Sequence, residues 1–204
     1  MEDVVIGAEV IKRLRRAKAL DSILRWLNAC PRTYGELIRE EITYARWIAF
    51  NVELPQDVAD WLYEHGCPRT WWREGRRHRE SAAAVIAKNG LQEWWIDGRR
   101  HRVNGPAAVY PEGTMEWWYW GRRHRMNGPA VICPGYCAWF EHGRLHRADG
   151  PAIIWMNGAQ AYCREGRLHR DDGPAVVRAD GTVEYWRDGE RVPEPTGISR
   201  EVSV

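Results

Sequence analysis

The chain has 204 residues and a mass of 23.8 kDa, with 30 Lys and Arg against 28 Asp and Glu for a formal net charge of +2. A domain that binds nucleic acid mainly through charge is usually far more basic, so that class is disfavoured, although a local basic face is not. No stretch approaches the roughly 20 apolar residues of a membrane span, and Glu2 and Asp3 stand where a secretory signal would be basic and then apolar. The five cysteines, Cys30, Cys67, Cys133, Cys137 and Cys163, are odd in number and irregularly spaced, which predicts no disulfide framework and a reducing, cytoplasmic setting.

Two biases stand out. Thirteen Trp is far above ordinary usage, and only three of the 30 basic residues are Lys. Arg stacks on aromatic rings and makes planar bidentate contacts that Lys cannot, so the combination suits a recognition surface. A GC-rich genome would produce the same Arg bias without functional meaning.

From Met1 to about Thr70 the apolar residues keep helical spacing. Val4, Val5, Ile11, Leu14, Ile23, Leu24 and Leu27 recur with Arg13, Arg15, Arg16 and Lys18 between them, which predicts one or two amphipathic helices ending before Pro31, the basic run on a solvated face. Thr33 with Glu36 is a capping-box pattern that opens a helix running to about Phe50, with Tyr34, Leu37, Ile38, Ile42, Ala45 and Ile48 on one side. Pro55 opens a shorter helix with Val58, Trp61 and Leu62 inward and Gly66 as its stop. Residues 1–70 read as a small helical domain.

Between Trp71 and Arg191 one phrase recurs, most clearly over residues 96–118. Its opening glycine falls at Gly75, Gly98, Gly121, Gly143, Gly166 and Gly189, 23 residues apart except for a single interval of 22. After the glycine come a basic residue, one further residue and His-Arg, then a turn such as Asn104-Gly105-Pro106, then a short apolar run such as Ala107-Ala108-Val109. A second turn follows, at Asn89-Gly90, Glu112-Gly113, Asn157-Gly158 or Asp180-Gly181, and then a strand ending in paired aromatics. Asn-Gly and Asp-Gly suit turns that need positive φ, so each repeat reads as one tight antiparallel hairpin that stacks on its neighbours. The first copy is imperfect at Ser81-Ala82-Ala83, the sixth is only begun, and residues 192–204, with Pro193 and Pro195, form a C-terminal tail, mobile or folded back over the last edge strand.

Adjacent strand residues point to opposite faces, so the aromatic pairs make two columns. Trp71, Trp94, Trp117, Trp139, Tyr162 and Tyr185 are unbroken, as packing between rungs requires; Trp72, Trp95, Trp118, Phe140, Cys163 and Trp186 tolerate a small residue and read as the exposed, binding face.

This order of glycine, basic residue, histidine, glycine turn, apolar strand and aromatic strand resembles a MORN-type repeat, in a divergent form that writes His-Arg-x-x-Gly-Pro-Ala and places Arg79, Arg102, Arg125, Arg147 and Arg170 near a customary second glycine. The resemblance covers about 120 of the 204 residues. It implies an elongated, single-layer antiparallel sheet of about five stacked repeats over residues 71–191, which the helical domain read over residues 1–70 would cap to give an α+β fold. It also implies protein association, or in some members contact with membrane lipids, and no enzyme. Residues 58–68 resemble the second helix and exit turn of divergent ankyrin-type repeats.

Five histidines, His78, His101, His124, His146 and His169, occupy one equivalent position. Ligands of one metal must converge, whereas repeated sites lie along a line, so the column reads as a structural hydrogen bond made once per rung. Cys133 and Cys137 would be half of a zinc site, but no second pair completes it. Nucleophilic catalysis needs a unique base, every array histidine has copies, and no phosphate-binding glycine loop is present, so no catalytic residue, metal or cofactor is expected.

The residues expected to bind are Trp95, Trp118, Tyr119 and Trp120 with Arg99, Arg100, Arg122 and Arg123, because Trp, Tyr and Arg dominate interface energetics. The partner expected is another protein, and a homo-oligomer is compatible with that. A second reading stacks the bases of a single nucleic-acid strand on the rings. A third is a phage or viral inhibitor that occludes a host defence factor, such as an anti-CRISPR.

Overall fold

The computed structural model describes residues 42–195, together with Ile6 and residues 10–13. Residues 10–13 are helical; the rest of the predicted amino-terminal helices and the capping box at Thr33 lie outside the described residues. Helix α1 (Ile42–Asn51) ends one residue beyond the predicted Phe50 and buries Ala45 and Ile48 completely. Helix α2 (Gln56–Glu64) starts after Pro55, whose ring pre-sets φ at −52°, and buries Val58, Ala59 and Leu62, while Trp61 is half-buried. Gly66, with φ +86°, turns the chain out of the helix.

The chain forms two compact units, Met1–Pro111 and Glu112–Val204. In the first, α1 and α2 pack on β1 (Arg69–Thr70). Then follow β2 (Trp72–Arg73), β3 (Arg76–Arg77), β4 (Val85–Ile86), β5 (Gln92–Glu93), β6 (Trp95–Ile96), β7 (Arg99–Arg100) and β8 (Ala108–Val109). Strands β1, β4, β5 and β8 pair in that order as one antiparallel sheet, while β2–β3 and β6–β7 are separate two-stranded hairpins.

The second unit continues the pattern with β9 (Met115–Glu116), β10 (Trp118–Tyr119), β11 (Arg122–Arg123), β12 (Val131–Cys133), β13 (Tyr136–Ala138), β14 (Phe140–Glu141) and β15 (Arg144–Leu145). It is completed by β16 (Ile153–Trp155), β17 (Gln160–Ala161), β18 (Cys163–Arg164), β19 (Arg167–Leu168), β20 (Val176–Val177), β21 (Val183–Arg187) and β22 (Glu190–Val192). Its large antiparallel sheet runs β9, β12, β13, β16, β17, β20, β21, β22, and β10–β11, β14–β15 and β18–β19 are the small hairpins.

Each repeat thus holds two hairpins where the sequence pattern suggested one. The tightest turn sits at the opening glycine: between β10 and β11, Trp120 and Gly121 both have positive φ, +47° and +79°, the signature of a two-residue type I′ loop. The Asn-Gly turns are instead three-residue loops. The Gly90 amide donates to the Ala87 carbonyl at 3.0 Å, only the glycine is left-handed, and Asn89 Oδ1 accepts the Leu91 amide at 3.1 Å. The 22-residue interval has a local cause: Pro134-Gly135 joins β12 to β13 directly, with Cys133 opposite Tyr136, and omits the extra loop residue.

The interior of the array is built of alanine. Ala84, Ala107, Ala130, Ala152 and Ala175 are fully buried, and each carbonyl accepts the amide of a first-column aromatic, from Trp71 to Tyr162, at 2.7–2.9 Å. A residue without a side chain beyond Cβ lets the loop lie flat on the sheet; a larger one at these sites would overpack it.

Candidate protein-binding surface

The aromatic columns are not divided into a buried face and an exposed one. All six first-column rings are half-buried, and so are the second-column rings; Cys163, the expected gap, is buried at 5 % exposure. Each first-column ring from Trp71 to Tyr162 is covered by the arginine that follows the histidine. The guanidinium carbons of Arg79, Arg102, Arg125, Arg147 and Arg170 lie 3.8–4.2 Å from the centroids of Trp71, Trp94, Trp117, Trp139 and Tyr162. The same arginines donate to the carbonyl that closes the next loop, as Arg125 Nη1 does to Pro129 at 3.2 Å. The arginine of each His-Arg pair is therefore a structural cation–π clamp.

The second column carries a different device, which the sequence reading missed. Glu116 is 6 % exposed; it accepts the indole N–H of Trp118 at 2.9 Å and a guanidinium N–H of Arg123 at 2.7 Å. Glu93, 2 % exposed, does the same for Trp95, at 3.0 Å, and Arg100. A buried carboxylate survives only with such partners. One rung further, Glu116, Trp118 and Arg123 are replaced together by Ala138, Phe140 and Leu145, and then by Ala161, Cys163 and Leu168. This joint exchange is the signal that could have shown the column to be an internal network.

The eight residues expected to bind therefore separate. Trp95 with Arg100, and Trp118 with Arg123, are opposed in register and engaged with buried glutamates, the guanidinium carbons 5.2 and 5.0 Å from the ring centroids. Arg99, Arg122, Tyr119 and Trp120 are exposed. Tyr119 and Trp120, 46 % and 42 % exposed, meet edge to face at 6.5 Å, with Arg122 opposite Tyr119. Trp120 is not a strand residue on the side of Trp118 but the first residue of the tight turn. Beyond it, the arginines that directly follow the opening glycines, Arg122, Arg144 and Arg167 in this unit, are all exposed, and no carboxylate lies within 4 Å of Arg122 or Arg167 among the described residues.

Four of the five array histidines make the expected hydrogen bond. Nδ1 of His78, His124, His146 and His169 accepts the amide of Asp97, His142, Glu165 and Asp188, the residue before the next glycine, at 3.0–3.4 Å. Nε2 lies 3.2 Å from Glu80 in His78 and 3.1 Å from Asp171 in His169, and in the same two rings a carboxylate oxygen of Asp97 or Asp188 also stands 3.0–3.1 Å from Nδ1. Cys133 and Cys137 occupy neighbouring register positions and so face opposite sides of the sheet, which removes the half zinc site. The four described cysteines are free; burial pushes the Cys67 thiol up to about 11 and raises that of Cys163, leaving both protonated and inert.

Neither protein-family models nor curated proteins match this chain. Among the described residues no helix is long and apolar enough to cross a membrane.

Proposed function

We propose that the chain is a non-enzymatic protein-binding module, a divergent MORN-type array of about five repeats carrying a helical cap, working in the cytoplasm as a scaffold or as an inhibitor that occludes its partner. The observation that carries this reading is Trp120. A bulky residue held at φ +47° costs about 1–3 kcal/mol, and the equivalent turn residues are Glu74, Asp97, His142, Glu165 and Asp188. All six turns share this left-handed φ, from +47° to +52°, so it belongs to the fold; what sets this turn apart is a large exposed indole, adverse to folding, and a hot spot for a partner accounts for it. The exposed arginine row beside it favours a partner with an acidic rim. Base stacking is disfavoured because arginine already covers the first-column rings from Trp71 to Tyr162.

Replacing Trp120 with Asn, which tolerates the left-handed turn, tests the idea. The variant should melt no lower than the parent, while a partner protein recovered with the parent from its native source should bind at least about 2 kcal/mol more weakly. A partner retained at full affinity, or a co-purifying species with a nucleic-acid spectrum abolished by nuclease, would overturn the reading.

A further inference from the structure

Two residues before the opening glycines stand Arg73, Ile96, Tyr119, Glu141, Arg164 and Arg187, so one rung of the second unit has a carboxylate where three others have a guanidinium. The first of these rungs has Arg73 and the fifth has Arg164. Arg73 pairs with Asp97 at 2.7 Å, and the same carboxylate oxygen lies 3.0 Å from His78 Nδ1. Arg164 pairs with Asp188 at 3.0 Å, beside His169 Nδ1 at 3.1 Å. In both rungs a cation, an acid and an imidazole meet at one place.

In the rung between β14 and β18 the equivalent residues are Glu141, His146 and Glu165. The cation has become a carboxylate. Nε2 of His146 lies 3.6 Å from Glu141 Oε2, Nδ1 lies 3.6 Å from Glu165 Oε1, and one ligand atom from each residue falls within 4.8 Å of the others. Glu165 turns its second oxygen to Arg144 at 3.0 Å, which leaves Oε1 on the histidine side. Glu141 and His146 also line an open cleft of about 570 Å³, so an ion has a route in.

We propose that Glu141, His146 and Glu165 form a binding site for a divalent transition ion of the zinc class, in the place that the guanidinium of Arg73 or Arg164 takes in two other rungs. One imidazole with two carboxylates is the donor set of such ions; calcium and magnesium take oxygen ligands and larger or octahedral shells. Small side-chain rotations bring three donors onto one ion at about 2.0–2.2 Å, with the fourth tetrahedral position left to water. The ion takes the imidazole lone pair or shifts the ring proton to Nδ1, so either way the Glu165 amide loses its acceptor. That bond, at 3.4 Å, is the longest of the four in the column and the cheapest to give up. The ion would tie the β14–β15 hairpin to the turn before β19. Although the histidines repeat along a line, this donor set occurs once, because Glu141 is the only acid at a position held elsewhere by Arg73, Ile96, Tyr119, Arg164 and Arg187.

The test is a calorimetric titration of the full chain with zinc chloride, alongside melting with and without the ion. The parent should bind one equivalent and melt higher when loaded. Glu141→Arg, which installs the residue of the Arg73 and Arg164 rungs and keeps the fold, should weaken binding at least about tenfold and abolish the zinc-dependent rise in melting temperature. The paired Cys133→Ser and Cys137→Ser variant should bind as the parent does. No uptake by the parent, undiminished uptake by Glu141→Arg, or loss only in the cysteine variant would each overturn the assignment.

Discussion

The arginine after each array histidine is held from two sides. A Cβ on Gly128 would sit 3.3 Å from the Arg125 guanidinium, whose other side covers Trp117, so the glycine of the turn and the arginine of the clamp are chosen together. The buried glutamates follow the same logic with higher stakes. Glu116→Ala should cost about 2–3 kcal/mol, because it leaves the Trp118 N–H and the Arg123 guanidinium without their acceptor. Adding Trp118→Phe and Arg123→Leu rebuilds the set found at Ala138, Phe140 and Leu145, and should recover most of that loss in a denaturant titration. A triple variant no more stable than the single one would mean that the glutamate acts alone.

At the scale of the hairpin, rungs are joined by groups 18 to 24 residues apart, and pH dependence enters through Asp97, Asp188 and His101. Each carries its own pH window. Burial pushes His101 below its ordinary 6.5, so the folded state binds fewer protons there than the unfolded chain. The stability it contributes is present above about pH 6.5 and is lost as pH falls through its lower, folded value. Hydrogen bonds from Arg73 and Arg164 hold Asp97 and Asp188 below the ordinary carboxylate value of 3.8, and their contribution is present above that value and is lost as pH falls through the depressed one. Melting temperature should therefore fall in two stages, one beginning near pH 6.5 and one below about pH 4. His101→Gln should flatten the first stage and leave the second. An unchanged first stage would assign it to other groups.

At the scale of the molecule, an open antiparallel sheet has edges to protect. In the first unit the helices do this. Thr70 Oγ1 donates to the Ala49 carbonyl at 2.7 Å, Arg77 donates to the Phe50 carbonyl at 2.6 Å with its guanidinium 4.1 Å from the Phe50 ring, and Arg69 pairs with Asp60 at 2.8 Å. In the second unit β22 is short, carries Glu190 and Arg191, and is followed by Pro193, all of which blunt an edge. Removing residues 1–67 should expose β1 and produce concentration-dependent association in light scattering that the full chain does not show. A truncated chain that stays dispersed and melts cooperatively would show that the helices are not needed as a cap.

Much of this was legible in the sequence because it is local. The 23-residue period, the strand character of the apolar runs, the limits of α2 at Pro55 and Gly66 and the histidine bond between rungs all follow from turn chemistry, spacing and repetition. Which hairpin carries the two-residue turn was not legible, since Trp120-Gly121 lacks the usual Asn or Asp and is held left-handed by the structure around it. The role of the second column was misjudged for a related reason: an aromatic beside a gap looks expendable until Glu116 and Arg123 are seen closing on its indole. The convergence of Glu141 and His146 with Glu165 required the structure altogether. Period and φ preference are properties of a few consecutive residues, whereas the charge that meets a given imidazole is set by how one rung stacks on the next.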